Sequence, residues 1–314
     1  MDTNVVGMLF WTARAVVQDL SAFQANSLMG HHFVPQRYLR NFEDPNHPGF
    51  IWLHDTRGGP ARLAPIAKVA QAKEFYSQQT EAILARQVET PGNRVIRMLT
   101  NNMAIGSAER VQLAYYIGVM MKRIPASRRR AAEMIPGVLA DLVAEVREQL
   151  RALASDVQAD PEMVAKRLLE VDATEKKFRL QPPPNVLEQI REPWPSEIMV
   201  RALFNMTWRV LISSGPQYFV TTDNPVFFFR GFGLAKEKSE LTFPLSTTHA
   251  LHGSWQTAGS NLMFHRATQV IVKEINRRLA SETERLAFCS EPAPWLLTIL
   301  LKKHLHLSVI QWTD

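Results

Sequence analysis

The chain has 314 residues, 46% of them hydrophobic and 21% charged, and 36 basic against 30 acidic side chains give a formal charge of +6. That length and apolar share suffice for a sizeable core and exclude a wholly disordered chain, while the mild basic excess permits an anionic partner without requiring one. A single cysteine, Cys289, excludes an internal disulfide framework and a cysteine-rich zinc site; it is expected to be buried and inert in a reducing compartment, the cytoplasm.

Residues 1–28 carry weak pattern, although Phe10, Ala13, Val17 and Leu20 fall at helical spacing. They read as an N-terminal extension or a docking helix. The apolar run Val5 to Trp11 lacks the basic segment that a signal peptide needs. Val34 stands before Pro35 and is expected to be extended, and Pro35 suits the start of a short helix to Phe42. Phe50 to His54 reads as a strand, Thr56 to Pro60 as a turn, and residues 61–70 as a returning strand. From Thr80 the period becomes helical, with Thr90-Pro91 read as a cap that restarts the helix. Ser107 to Lys122 and Val138 to Leu153 read as amphipathic helices. A charged stretch, residues 155–180, runs into Pro182-Pro183-Pro184, the best candidate linker.

Ser196 to Leu211 reads as a further helix. Strands follow at Tyr218 to Thr222, Val226 to Phe229, Leu241 to Leu245 and Ala250 to His252. Helix returns over 266–284, and Leu305 to Trp312 is a candidate strand. The apolar run Trp295 to Leu301 is far shorter than the roughly 20 residues that span a bilayer, so it is expected to be a buried helix and no membrane span is expected. Strands at both ends of a helical middle predict an α+β fold, the helical middle packed against a small, mostly antiparallel sheet. The expected organisation is a single domain over 29–314, helical over about 77–180 and strand-rich over about 217–255.

The run from His31 to Phe42, His-His-Phe-Val-Pro-Gln-Arg-Tyr-Leu-Arg-Asn-Phe, resembles the opening signature of a bacterial family, the domain of unknown function family 4238. Further blocks are similar in the same order: Phe75-Tyr76, Glu81, Glu89, Arg123-Ile124-Pro125, Trp208, Val220 to Val226, Pro244-Leu245-Ser246 and Ile275-Asn276-Arg277. The resemblance spans roughly residues 31–290. The opening block and the Thr-Thr-Asp-Asn-Pro block are specific, and the others are weak alone. Members begin close to the His-His motif, which implies that residues 1–28 are an addition. The family's name records no activity, so the resemblance implies an order of motifs rather than a reaction.

His31 and His32 are neighbours in an extended segment and point to opposite sides, so one metal cannot easily take both. One of them can serve as a general base or a ligand, and His32, closer to Pro35, is the better choice. The plain alternative is a hydrogen-bonded structural histidine. Asp223-Asn224-Pro225 ends an apolar strand, a place where a sheet positions catalytic or metal-binding groups, but the same residues make a good turn. Glu81 and Glu89 are eight apart; on a straight helix that is roughly 12 Å of rise and about 80° of offset, so the reading favours surface charges over a shared site. Arg123, at a helix end, is the cation singled out for a phosphate, and Arg128 to Arg130 are expected to be solvated.

Two readings stay open. The first is a hydrolase, a nuclease being the specific case, acting on an anionic, phosphate-containing substrate or nucleic acid. His32, Asp223, Asn224 and Arg123 would be its catalytic set, and His32, Asp223 and Glu81 would hold Mg²⁺ or Mn²⁺. The second is a non-catalytic binding protein whose His, Asp and Arg residues form a structural polar network. An open cleft shared by His32 and Asp223 would favour the first; buried, mutually bonded groups would favour the second.

Overall fold

The computed structural model describes residues 30–73, 75–155, 160–256, 262–302 and 305–312. The extension or docking helix expected before residue 29 lies outside the described residues. The fold is α+β, as the pattern of elements predicted. Two compact units are present, one made of residues up to Ile124 together with those from Trp194 on, the other Pro125–Pro193. The expected helical stretch is therefore divided between units, and the boundary falls after Pro193 rather than at the proline triplet.

Among the described residues of the larger unit, three sheets take the place of the one expected. β1 (Gly30–His32) pairs antiparallel with β4 (Gln71–Lys73). β3 (Arg62–Pro65), β2 (Phe50–Asp55), β11 (Leu286–Cys289) and β6 (Thr221–Thr222) form an antiparallel sheet in that order. The third sheet runs β10 (Leu262–Ala267), β5 (Thr207–Ser213), β9 (His249–Ser254), β8 (Glu240–Pro244), β7 (Phe227–Phe228), with β10 and β5 parallel and the remaining pairs antiparallel. Four of these strands were not foreseen, β4 among them because the returning strand was expected to end at residue 70. β5 falls in the expected helix to Leu211, β10 overlaps the start of the expected helix from 266, and β11 had no expectation at all. Met206 turns to extended backbone after α8 (Glu197–Asn205), and the β-branched Thr207, Val210 and Ile212 then suit a strand.

After the short helix α1 (Gln36–Leu39) comes α2 (Gln78–Ile83), which Ser77 caps through the Thr80 N–H. It does not restart at Thr90-Pro91. A π-turn, Leu84–Glu89, carries it directly into α3 (Thr90–Thr100). Pro91 has no N–H, and its ring would strike the carbonyl of Gln87 in a regular helix; the wider π-turn relieves both problems. The hydroxyl of Thr90 donates to the Ala85 carbonyl at 2.9 Å and takes up an acceptor left by this rearrangement.

α4 (Ser107–Lys122) is buried nearly all round from Arg110 to Met121, where one apolar face was expected. It runs through the main core, which also contains Tyr38, Phe42, Trp208 and Phe243. Gly118 admits Pro195 so closely that a Cβ would lie 2.7 Å from that ring. Arg110 donates to the carbonyl oxygens of Phe204 and Met206 at the end of α8 and lies 4.2 Å from the Trp208 ring, so its charge meets a helix C-terminus. α9 (Gln269–Glu282) and α10 (Pro294–Leu300) complete this unit. α10 covers the run expected at 295–301 as a buried helix, but Leu296 alone on it is buried, and Trp295 and Leu301 are exposed.

The smaller unit is helical: α5 (Pro125–Ala154), α6 (Pro161–Leu180) and α7 (Pro184–Arg191). α5 packs on α6, Val143 and Val164 are buried, and Arg147 pairs with Asp172 and Glu175 at 2.6 Å. Among the described residues no helix is long and apolar enough to cross a membrane.

Candidate functional site

The weaker family blocks converge on Arg123. This residue caps α4, and its guanidinium is wholly buried. Nη1 donates to Glu89 Oε1 at 2.6 Å, Nη2 donates to the His32 carbonyl oxygen, and Nε is buried without a partner. Burial opposes the charge, but Glu89, Tyr76 and Glu81 more than offset it, so the pKa of Arg123 lies above the usual arginine value. The Tyr76 hydroxyl donates to the Arg123 carbonyl at 3.0 Å, and the Tyr76 N–H donates to Nδ1 of His31 at 3.2 Å. The π-turn explains why both glutamates act on one arginine. Its residues each turn through less than those of an α-helix, so the 80° offset of a straight helix shrinks. Reading Glu89 as a surface charge is thus corrected, since it holds a buried arginine.

The two histidines do separate as expected. The His31 ring is buried and accepts from Tyr76, whereas Nδ1 of His32 lies 3.4 Å from Gln36 Nε2. Nε2 of His32 is buried without a partner, and so is Oε2 of Glu81. Burial lowers the pKa of His32, with the Ala67 carbonyl acting in the opposite sense. Burial raises the pKa of Glu81, with Arg123 opposing. Both groups are thereby shifted toward their neutral forms.

Asp223 and Asn224 belong to a different set of contacts. Asp223 Oδ1 accepts the Glu284 N–H at 3.0 Å, and Oδ2 accepts those of Arg285 and Leu286 at 2.8 and 2.9 Å. These bonds stitch the turn after β6 to the start of β11. Burial pushes the Asp223 carboxyl up to about 6 even against these backbone donors. The Asn224 amide donates to the Glu282 carbonyl and carboxylate, and Thr222 Oγ1 closes the turn against the Asn224 backbone. Asp223 also borders a cleft of about 380 Å³, with Phe33 of the opening motif and the basic Arg62, Lys68 and Arg285.

Three of the five residues singled out from the sequence, His32, Glu81 and Arg123, thus share one cluster. Arg123 cannot clamp a phosphate there, because it has no exposed surface. Among the described residues no group of three or more His, Cys, Asp or Glu side chains is arranged to hold a metal ion, so His32, Asp223 and Glu81 do not form the expected ligand set for Mg²⁺ or Mn²⁺. Sequence reasoning missed a second buried cluster, Glu240, Arg278 and Glu274, with Arg278 Nη2 2.6 Å from Glu240 Oε2. A glutamate within the apolar strand Glu240-Leu-Thr-Phe-Pro was its available signal.

The two specific motifs meet at Tyr38. Its hydroxyl lies 2.8 Å from Thr221 Oγ1 and donates to the Pro244 carbonyl at 2.9 Å, while its ring stacks on Phe243 at 5.2 Å. The Thr247 N–H reaches the Asn41 carbonyl, and Asn276 bonds the backbone of Tyr218 and Val220. These contacts define an α+β protein whose motif residues are tied to one another across three sheets. The family model described as "Protein of unknown function (DUF4238)" matches residues 30–292, and the chain belongs to that family. No curated protein and no solved structure matched the chain.

Proposed function

We propose that this chain is a non-catalytic binding protein whose His, Asp and Arg residues form a hydrogen-bonded framework. The observation that carries this reading is Asp223, both of whose carboxylate oxygens are occupied by the backbone N–H groups of residues 284–286. A carboxylate so held is a structural acceptor; serving as a metal ligand or a base would mean breaking the stitch between β6 and β11. The burial of Arg123 against Glu89 and the Tyr38–Thr221 bond support the same reading. A nuclease and phosphodiesterase screen with Mg²⁺ or Mn²⁺ tests it. The expected result is no turnover, with Asp223→Asn lowering stability by about 1–3 kcal/mol. Turnover that disappears in Asp223→Ala or His32→Ala variants of unchanged circular dichroism overturns it.

A second reading rests on one specific observation, the unpartnered Nε2 of His32 and Oε2 of Glu81 in one cluster. An imidazole of lowered pKa and a carboxyl of raised pKa, both within electrostatic reach of Arg123, are a base and an acid of the kind that hydrolysis uses. The same screen decides for it if activity has a bell-shaped pH profile and is lost in both His32→Ala and Glu81→Gln.

A further inference from the structure

Lys273 and Arg277 lie four residues apart on α9 and so share a face of it. Opposite them, Trp295 lies in the first turn of α10, and Lys302 follows its last turn. Together with Gln217 and Tyr218 these residues line a cleft of about 530 Å³. The Tyr218 and Trp295 rings meet edge to face, centroids 6.1 Å apart at 67°, and Trp295 is 40% exposed. Asn276 fixes the Tyr218 wall, donating to the Tyr218 carbonyl at 2.9 Å and accepting the Val220 N–H at 3.1 Å. Two carboxylates border the same region. Glu274 makes a long ion pair with Arg277, 3.7 Å, and Glu291 lies near Tyr218, whose pKa is raised by burial first and by nearby Cys289 and Glu291 next.

We propose that this cleft binds a small phosphorylated aromatic molecule of the nucleoside monophosphate class. The inference rests on reading the chain as a binding protein. Three cations supply the charge that a phosphate seeks, and the aromatic pair supplies a stacking surface for a base. The volume suits a small ligand and the walls are pre-formed.

Isothermal titration of the full chain with AMP, GMP, CMP and UMP tests the proposal, beside adenosine, guanosine and inorganic phosphate. At least one monophosphate is expected to bind saturably, with its nucleoside and inorganic phosphate each about tenfold weaker or more. The double variant Lys273→Gln/Arg277→Gln is expected to weaken binding at least about tenfold at unchanged thermal midpoint, because these side chains are exposed, and Trp295→Ala, which also loses the Tyr218 contact, is expected to weaken it as much at a lowered midpoint. Arg62→Gln/Lys68→Gln, at the other cleft, is expected to leave affinity unchanged. No saturable binding at millimolar nucleotide, unchanged affinity in the Lys273/Arg277 variant, or tighter capture of a single-stranded DNA ten-mer than of any monophosphate overturns the assignment. Chromatography of the bound nucleotide separates the two conclusions. Hydrolysis with intact cleft dependence removes the non-catalytic reading and keeps the site; no binding in a protein inert in the nuclease screen removes the site and keeps that reading.

Discussion

Glu89 and Arg123 show how a residue can be indispensable without touching a ligand. The guanidinium is fully buried while the side chain of Glu89 is 16% exposed, so removing the carboxylate strands the costlier charge. Glu89→Gln is expected to cost about 3 kcal/mol, because a buried cation loses its compensation. Glu89→Gln/Arg123→Met is expected to recover part of that loss. Urea denaturation of the three variants checks this, and equal losses in the single and double variants would sink the pairing argument. The histidines set a pH dependence of definite sign. Burial lowers the pKa of His32, His54, His249 and His252 in the folded chain, so on acidification the unfolded chain takes up protons first. The stability of the neutral rings is fully present above the unfolded value of 6.5 and is lost as the pH falls below it. Asp223 acts in the opposite sense. Its carboxyl, raised to about 6 from 3.8, favours the folded state as the pH falls through that window. With four rings against Asp223 and Glu81, whose pKa burial also raises, the thermal midpoint is expected to drop between about pH 7 and pH 5.5, more shallowly in His32→Gln. An identical slope in that variant would exclude His32 as a contributor.

At the scale of elements, the π-turn is what regular periodicity conceals. The apolar spacing of Ile83, Leu84 and Val88 announces a helix, and Pro91 announces a disturbance, but neither says that the disturbance is absorbed upstream without a break. Counting along a straight helix therefore separates Glu81 from Glu89, whereas both lie within electrostatic reach of Arg123. The crossing of α3 over α4 was hidden for another reason, since it depends on what a glycine lacks. A Cβ on Gly92 would lie 2.5 Å from the Tyr116 ring, and that ring is itself fully buried. Gly92→Ala is accordingly expected to destabilise the protein by about 1–3 kcal/mol, although alanine is the better helix former by about 1 kcal/mol. A neutral or stabilising result in a denaturant titration would mean that the two helices can part without cost.

For the whole molecule, fold class was legible because helical and alternating segments are long enough to read. What lay beyond reach was pairing over long separations, such as β11 inserted between β2 and β6, and β5, whose buried residues continue the apolar run of α8 with no glycine or proline between. The candidate site was legible as residue types in motifs and illegible as geometry, because Asp223 meets residues 284–286 and Arg123 meets His32 only in the folded chain. The C-terminal segment is the sharpest case, since its pattern suggested a strand while the structure uses it to satisfy buried charges. The Ser308 N–H donates to Glu274 Oε1 at 2.7 Å, Arg278 donates to the Ser308 carbonyl at 2.5 Å, and the Ile310 N–H donates to Glu240 at 3.1 Å. Trp312 covers the same region, 4.9 Å from the Arg209 guanidinium and 4.8 Å from the His265 ring. Deleting residues 305–314 therefore exposes Glu240, Arg278 and Glu274 to partial loss of their partners. The expected cost is about 3–5 kcal/mol, as for a broken buried ion pair, rather than the few tenths of an ordinary surface tail. Replacing Ser308 by Ala in the full-length chain is expected to cost under about 0.5 kcal/mol, because the bonds there come from the backbone. Equal midpoints for the truncated and complete proteins in urea would show that the buried cluster satisfies itself without the segment.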